Sequence, residues 1–211
     1  MPSLRQILAA HAPLLLLDAA SARVQVGFFE SPGSLQGRWA SSEEEAGVGL
    51  FRCIEELGAD LGAVRSFAFA EGPGSVLGIR TAAAALRSWC AIAPRPVYSY
   101  HALAVLAEAL PRPAGTAFIA DARRGGWHLC RRAGPVQRVP SAELSPPLAS
   151  PDGFRTWAEM PPGVERVPYV LSELLPQCLD AELFRESPAP DALLHEEPSY
   201  ATWSPQIHRA P

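Results

Sequence analysis

Three acidic positions of this chain have the residue types and placement to do phosphoryl chemistry. Asp18 closes the apolar run Leu14-Leu15-Leu16-Leu17, Glu43-Glu44-Glu45 follows two serines, and Asp121 closes Ile119-Ala120. Carboxylates at strand ends and at a helix start can converge on divalent cations, so Asp18, Glu44 and Asp121 describe one reading: a metal-dependent nuclease or another phosphotransferase. A second candidate is the stretch Glu71-Gly72-Pro73-Gly74-Ser75-Val76-Leu77-Gly78-Ile79-Arg80. Glycines at a strand-to-helix turn let amides face an anion, which makes Gly72, Gly74, Ser75 and Arg80 a candidate anion or nucleotide loop. It is not a P-loop, because the Gly-Lys-Ser/Thr ending is missing.

The chain contains no lysine: its 18 basic residues are all arginine. Arginine stays protonated, so Schiff-base catalysis, Ser–Lys dyads and Walker-type phosphate binding are excluded. Asparagine is absent as well, and with it any N-glycosylation sequon. Ser75 lacks the Gly-x-Ser-x-Gly frame of a hydrolase elbow, and His11, His101, His128, His195 and His208 have no metal-ligand spacing. Cys53, Cys90, Cys130 and Cys178 lie far apart among apolar neighbours and read as buried thiols.

A formal charge of −4 gives no field to gather nucleic acid over the whole surface. Arg123, Arg124, Arg131, Arg132 and Arg138 are the one basic concentration, either a solvated hairpin or a contact for nucleic-acid phosphates. No signal peptide is evident and no apolar run approaches membrane-spanning length, so cytoplasmic residence without a membrane partner is the expectation.

The elements that must position these groups follow from periodicity. Residues 14–18 read as a central strand, 24–28 as a half-buried strand with Val24, Val26 and Phe28 inward, and 35–40 as a third. Ser41-Ser42-Glu43-Glu44-Glu45 predicts a capping box for a helix over 43–57, with Ala46, Leu50, Ile54 and Leu57 on one face. A strand at 66–70 leads through the glycine loop into a helix over 76–91. Its apolar stripe is Val76, Ile79, Ala83, Leu86 and Cys90, and a second, small-residue face carries Thr81, Ala84, Ala85 and Ser88. That second face predicts burial against a partner chain or another helix of the same chain. A strand at 96–99, a helix at 100–110 and a break at Pro111-Arg112-Pro113 divide the chain into residues 1–112 and 113–211. Strands at 116–121 and 127–132 flank the turn Ala122-Arg123-Arg124-Gly125-Gly126. Proline-dense sequence fills 135–168, short helices 169–184, and a loosely held tail 202–211.

This order is that of an α/β, actin-like or ribonuclease H-like (ASKHA) fold with a complete N-terminal half and a reduced C-terminal half. The first strand ending in Asp18, Gly72-Pro73-Gly74-Ser75 running into Gly78-Ile79-Arg80, Ile119-Ala120-Asp121-Ala122-Arg123 before Gly126, and Glu197-Pro198-Ser199-Tyr200 resemble the TsaB (YeaZ) family. The resemblance covers residues 14–127 most strongly. It implies a pseudo-enzyme subunit: a scaffold for the TsaD-like catalytic paralogue in threonylcarbamoylation of adenosine-37 of transfer RNAs that read ANN codons. A TsaE-like ATPase completes such an assembly. The resemblance further implies pairing, or homodimer formation, through the first two helices of the N-terminal half, here Leu50, Ile54, Thr81, Ala84, Ala85 and Ser88. It implies no cofactor of the chain's own, with ATP or ADP and metal belonging to the assembled complex, and indirect contact with transfer RNA through Arg123, Arg124, Arg131 and Arg132. The sequence departs from the family at Ala19-Ala20, at Glu43-Glu44-Glu45 and at Val76-Leu77, which weighs against nucleotide binding by this chain and leaves the scaffold role untouched.

Overall fold

The computed structural model describes residues 1–193, so the Glu197-Pro198-Ser199-Tyr200 motif and the expected tail lie outside the described residues. Two mixed sheets carry the fold. The first has strands β1 (Leu14–Asp18), β2 (Val24–Phe29), β3 (Arg38–Ser42), β4 (Ser66–Gly72), β5 (Val97–His101) and β11 (Arg185–Glu186), ordered β11-β5-β4-β1-β2-β3. The second has β6 (Ala117–Asp121), β7 (Gly126–Cys130), β8 (Gln137–Pro140), β9 (Leu148–Pro151) and β10 (Val164–Val167), ordered β10-β9-β6-β7-β8.

The two sheets repeat one plan. β1 is antiparallel to β2 and parallel to β4, and β4 is parallel to β5; likewise β6 is antiparallel to β7 and parallel to β9, and β9 to β10. Asp18 and Asp121 therefore hold equivalent places, at the C-terminal ends of β1 and β6. What differs is the helical layer. In the first half α2 (Ala46–Glu56) packs on β2 and β3, and α3 (Val76–Ile92) on β4 beside it. In the second half a three-residue 3-10 turn, Ser141–Glu143, stands where α2 would be, and irregular chain over 152–163 replaces α3. Prolines at 135, 140, 146, 147, 151, 161 and 162 deny that segment a helix ladder. Helix α4 (Ala102–Ala109) lies against β5, β6 and β7 and joins the halves, followed in the second half by the short α5 (Leu171–Leu174). The break at 111–113 falls between α4 and β6, yet β11 returns from residue 185 to pair with β5.

Several expectations need correction. Helix α1 (Leu4–His11) opens the chain, with Ser3 and Gln6 forming a reciprocal capping box, and Arg5 N–H donates to the Leu179 carbonyl. The capping box expected at 41–45 does not form. Ser41 and Ser42 stay in β3 opposite Gln25 and Val24, α2 begins at Ala46, and its N-cap Glu45 makes no side-chain cap bond. β3 accordingly sits at 38–42 rather than 35–40. β2 is buried on both faces, not one. Gln25 is consumed by the segment after β10, donating from Nε2 to the Tyr169 carbonyl (3.1 Å) and accepting at Oε1 from Leu171 N–H (2.9 Å). Gly27 gives the Trp39 indole its room.

Candidate functional site

The C-terminal ends of the parallel strands β1, β4 and β5 bring Asp18, Glu71 and His101 to one edge of the first sheet, the edge at which α/β folds of this kind bind ligands. Asp18 is fully buried there. Its Oδ1 accepts from Ala20 N–H (2.9 Å), and its Oδ2 accepts from the hydroxyls of Tyr100 (2.7 Å) and Tyr169 (2.7 Å). Burial raises the Asp18 carboxyl above the usual range although all three donors oppose the shift. Burial and the neighbouring Asp18 push both phenols well up. The edge is thus plugged by two rings, one from each half.

Glu71 is the second buried carboxylate of this edge. Its Oε2 is bound by the Arg185 guanidinium, while Oε1 has the His101 Nε2 at 3.5 Å and makes no hydrogen bond. The chain after β11 then crosses the glycine loop: Leu193 N–H donates to the Glu71 carbonyl (2.7 Å), Arg87 bonds the Pro190 carbonyl, and Arg80 Nε lies 3.4 Å from Asp191 Oδ1. Arg80 therefore pairs with the segment after β11 rather than with a carboxylate of the first strand.

The loop itself is filled with protein. A Cβ at Gly74 would lie 2.2 Å from the Ala20 carbonyl oxygen, and one at Gly78 2.3 Å from that of Ala19. Both glycines exist so that the loop can press against the turn after β1. Ser75 N–H is spent on the Ala20 carbonyl (2.7 Å), and the Ser75 hydroxyl accepts from Gly78 N–H as the N-cap of α3 (3.3 Å). Residues 19 and 20 thus lie against Gly74 and Gly78, while a Cβ at Gly72 would meet Leu193 at 3.4 Å and Ile79 at 3.9 Å.

The nuclease constellation does not assemble. Asp121 spends its Oδ1 on Arg123 N–H (2.5 Å) and its Oδ2 on Trp157 N–H (2.6 Å) and Ala158 N–H (2.7 Å), in the other sheet. Glu44 pairs with Arg52 at 2.7 Å on α2. Among the described residues no three His, Cys, Asp or Glu side chains are grouped to hold a metal.

The outer face of α2 and α3 is the other candidate. Leu50 and Ile54, expected there, are 1% and 7% exposed and belong to the chain's own core, because the helical repeat that includes them faces the sheet. The outward positions are Val48 and Phe51 on α2, and Leu77, Thr81, Ala84, Ser88 and Ile92 at helical spacing on α3, with Ala85 half-buried beside them. Thr81 and Ser88 turn their hydroxyls back onto the carbonyls of Leu77 and Ala84 (2.9 Å each), so the ridge presents methyl and methylene groups. Phe51 stands edge-on to Trp89 at 6.3 Å, filling the furrow between the two helices. Of six large hydrophobic side chains exposed among the described residues, four line this face: Val48 (51%), Phe51 (50%), Leu77 (78%) and Ile92 (85%).

The arginines of the second half divide between the two ends of β7. Arg123 and Arg124 form the hairpin tip with positive φ values of 61° and 50°. Arg132 donates to the carboxylate and carbonyl of Glu108 on α4, and Arg131 to the Gly115 carbonyl. One continuous patch over 123–132 is therefore not built. Among the described residues no helix is long and apolar enough to cross a membrane.

No protein-family model and no curated protein matches the chain. Solved structures do. YeaZ from Pseudomonas aeruginosa superposes with a TM-score of 0.54 at 24% identity, over 78% of this chain and 87% of that one. An uncharacterized protein with similarity to peptidase YeaZ from Pseudomonas aeruginosa gives a TM-score of 0.53 at 22% identity, over 77% and 87%. The two repeated sheets are those of this actin-like α/β fold.

Proposed function

We propose that this chain is a TsaB (YeaZ)-type subunit: a non-catalytic partner that holds a TsaD-type paralogue for threonylcarbamoylation of adenosine-37 in transfer RNA. The observation that carries the reading is the outer face of α2 and α3. Four large apolar side chains flank a ridge of Thr81, Ala84 and Ser88 whose hydroxyls are already satisfied, which is the surface a second pair of helices packs against closely. The inward edge supports the same reading from the other side. A carboxylate sealed by Tyr100 and Tyr169 and a glycine loop filled by Ala19 and Ala20 leave this chain to act through its surface. ATP, metal and the TsaE-type ATPase then belong to the assembly, and the same helical face serves a homodimer when the paralogue is absent.

The test is co-expression with the TsaD-type paralogue of the same cell. The two chains should co-elute, and Ala84→Arg should abolish co-elution while the variant alone still melts cooperatively, because a long charged side chain props the helices apart. Deletion of the gene should remove the modified adenosine from transfer RNA. Co-elution of the Ala84→Arg variant, or intact modification in the deletion strain, would defeat the proposal.

A further inference from the structure

The clearest feature outside that face lies in the second half, where Asp121 has been turned from a strand-end carboxylate into a clamp. Its two oxygens hold the backbone of the hairpin tip at Arg123 and of the 152–163 crossover at Trp157 and Ala158. The clamp sets two loops side by side and fixes a tryptophan that is 60% exposed. The Arg123 guanidinium lies 5.1 Å and the Arg155 guanidinium 5.3 Å from the centroid of the Trp157 ring. Arg138 on β8 joins the same cluster by donating to the Arg123 carbonyl (3.2 Å), and Arg124 sits at the exposed tip. Consecutive left-handed residues at Arg123 and Arg124 are held where β-carbon sterics oppose them, so the tip is kept in one shape by its surroundings.

We propose that the Arg123–Trp157–Arg155 stack is a contact site for unpaired nucleotides of RNA. An acidic protein segment would use the arginines and leave the indole unmatched. A single-stranded RNA uses both, a base extending the stack on the indole or on a guanidinium plane while its phosphates meet the arginines. Asp121 spends its oxygens on three backbone donors, and Arg123 and Arg155 both stand exposed beside the indole. The choice of RNA over DNA rests on the function proposed above; the stacking geometry does not.

The experiment is fluorescence anisotropy of a short, labelled, single-stranded RNA of mixed sequence titrated with the full chain at several salt concentrations. Binding should weaken with salt. Trp157→Ala should weaken it roughly tenfold or more, as expected for losing one stacked base, and Trp157→Phe should keep most of it. Arg155→Ala should flatten the slope of log affinity against log salt by about 0.7, the loss of one phosphate contact. If Trp157→Ala does not fold, the phenylalanine and Arg155→Ala variants decide, since both leave the Asp121 clamp intact. Absence of binding at low salt, affinity unchanged by Trp157→Ala, or equal competition by polyglutamate would overturn the site. Trp157-dependent binding by a chain that fails to pair with its paralogue would remove the pairing proposal and leave this one standing. Pairing without RNA binding would do the reverse.

Discussion

The Tyr169 hydroxyl donates to Asp18 Oδ2 at 2.7 Å across 151 residues of sequence, and it comes from the segment that follows the last strand of the opposite sheet. Tyr100 reaches the same oxygen from β5. The C-terminal end of β1 is here a buried joint between halves, and Gln25 clamps the backbone of 169–171 to keep the ring there. Each group satisfies the others, which is the condition for keeping three polar side chains out of water.

Removal of one donor tests the joint. Tyr169→Phe leaves the ring packed against Phe154 but takes one of the two hydroxyls from Asp18 Oδ2. The expected loss is about 1–3 kcal/mol of stability, read as a lower urea midpoint at unchanged slope. A wild-type midpoint would show that the joint carries no stability.

The same joint should shape the pH dependence. Because the folded-state pKa of Asp18 is raised above 3.8 by burial, the native state binds more protons than the unfolded chain just above that value. Stability from this group is therefore present below the unfolded pKa and declines as pH rises through the folded one. Against an Asp18→Asn reference the wild type should gain stability on acidification from neutral pH towards 4, as measured by urea titrations at each pH. A difference that stays flat or reverses sign would contradict the burial of this carboxyl.

The glycine loop gives a pair of opposed outcomes. Gly74→Ala meets both a carbonyl at 2.2 Å and a φ of 150°, a region reserved for glycine, and should cost about 2–5 kcal/mol. Gly47→Ala, in α2 with open space around its added Cβ, should instead gain up to about 1 kcal/mol. Thermal melts of both variants decide. A tolerated Gly74→Ala would mean the loop stands away from Ala20, with room for an anion after all.

These relationships mark where the sequence can be read and where it cannot. Apolar runs with clear punctuation, such as 14–18 and 117–121, appear as strands at nearly their expected bounds. The turn at 122–126 likewise forms a hairpin loop, closed by Ala122 N–H on the Gly126 carbonyl. Strands β8, β9 and β10 are four residues each and lie among prolines, too short for periodicity to show. Helix α1 was signalled only by Ser3-Leu4-Arg5-Gln6, a capping pattern at the start of the chain. On α2 the strongest apolar repeat faces the sheet, so Leu50 and Ile54, which the family resemblance puts at a partner interface, lie in the core and Val48 and Phe51 stand outside. The partners of Asp18 and Asp121 come from residues 100, 157, 158 and 169, and no local pattern links positions so far apart.

The thiols offer a probe of the contact between halves. Cys130 at the end of β7 is pushed up to about 11 and Cys178 to about 12, in both cases by burial first and then by the charge of Glu108 on α4. Their Sγ–H groups lie 3.5 Å from the carbonyls of Gly134 and Leu174. Since the thiolate is the reactive form, neither should react with a disulfide reagent at pH 8 until the α4 region opens. Cys53 is buried too, and only Cys90 is partly exposed. The expected trace is one fast equivalent, absent in Cys90→Ser, followed by slow phases that accelerate together with sub-denaturing urea as the halves separate. Fast labelling of Cys130 or Cys178 in the native protein would mean that α4 does not seal the second half.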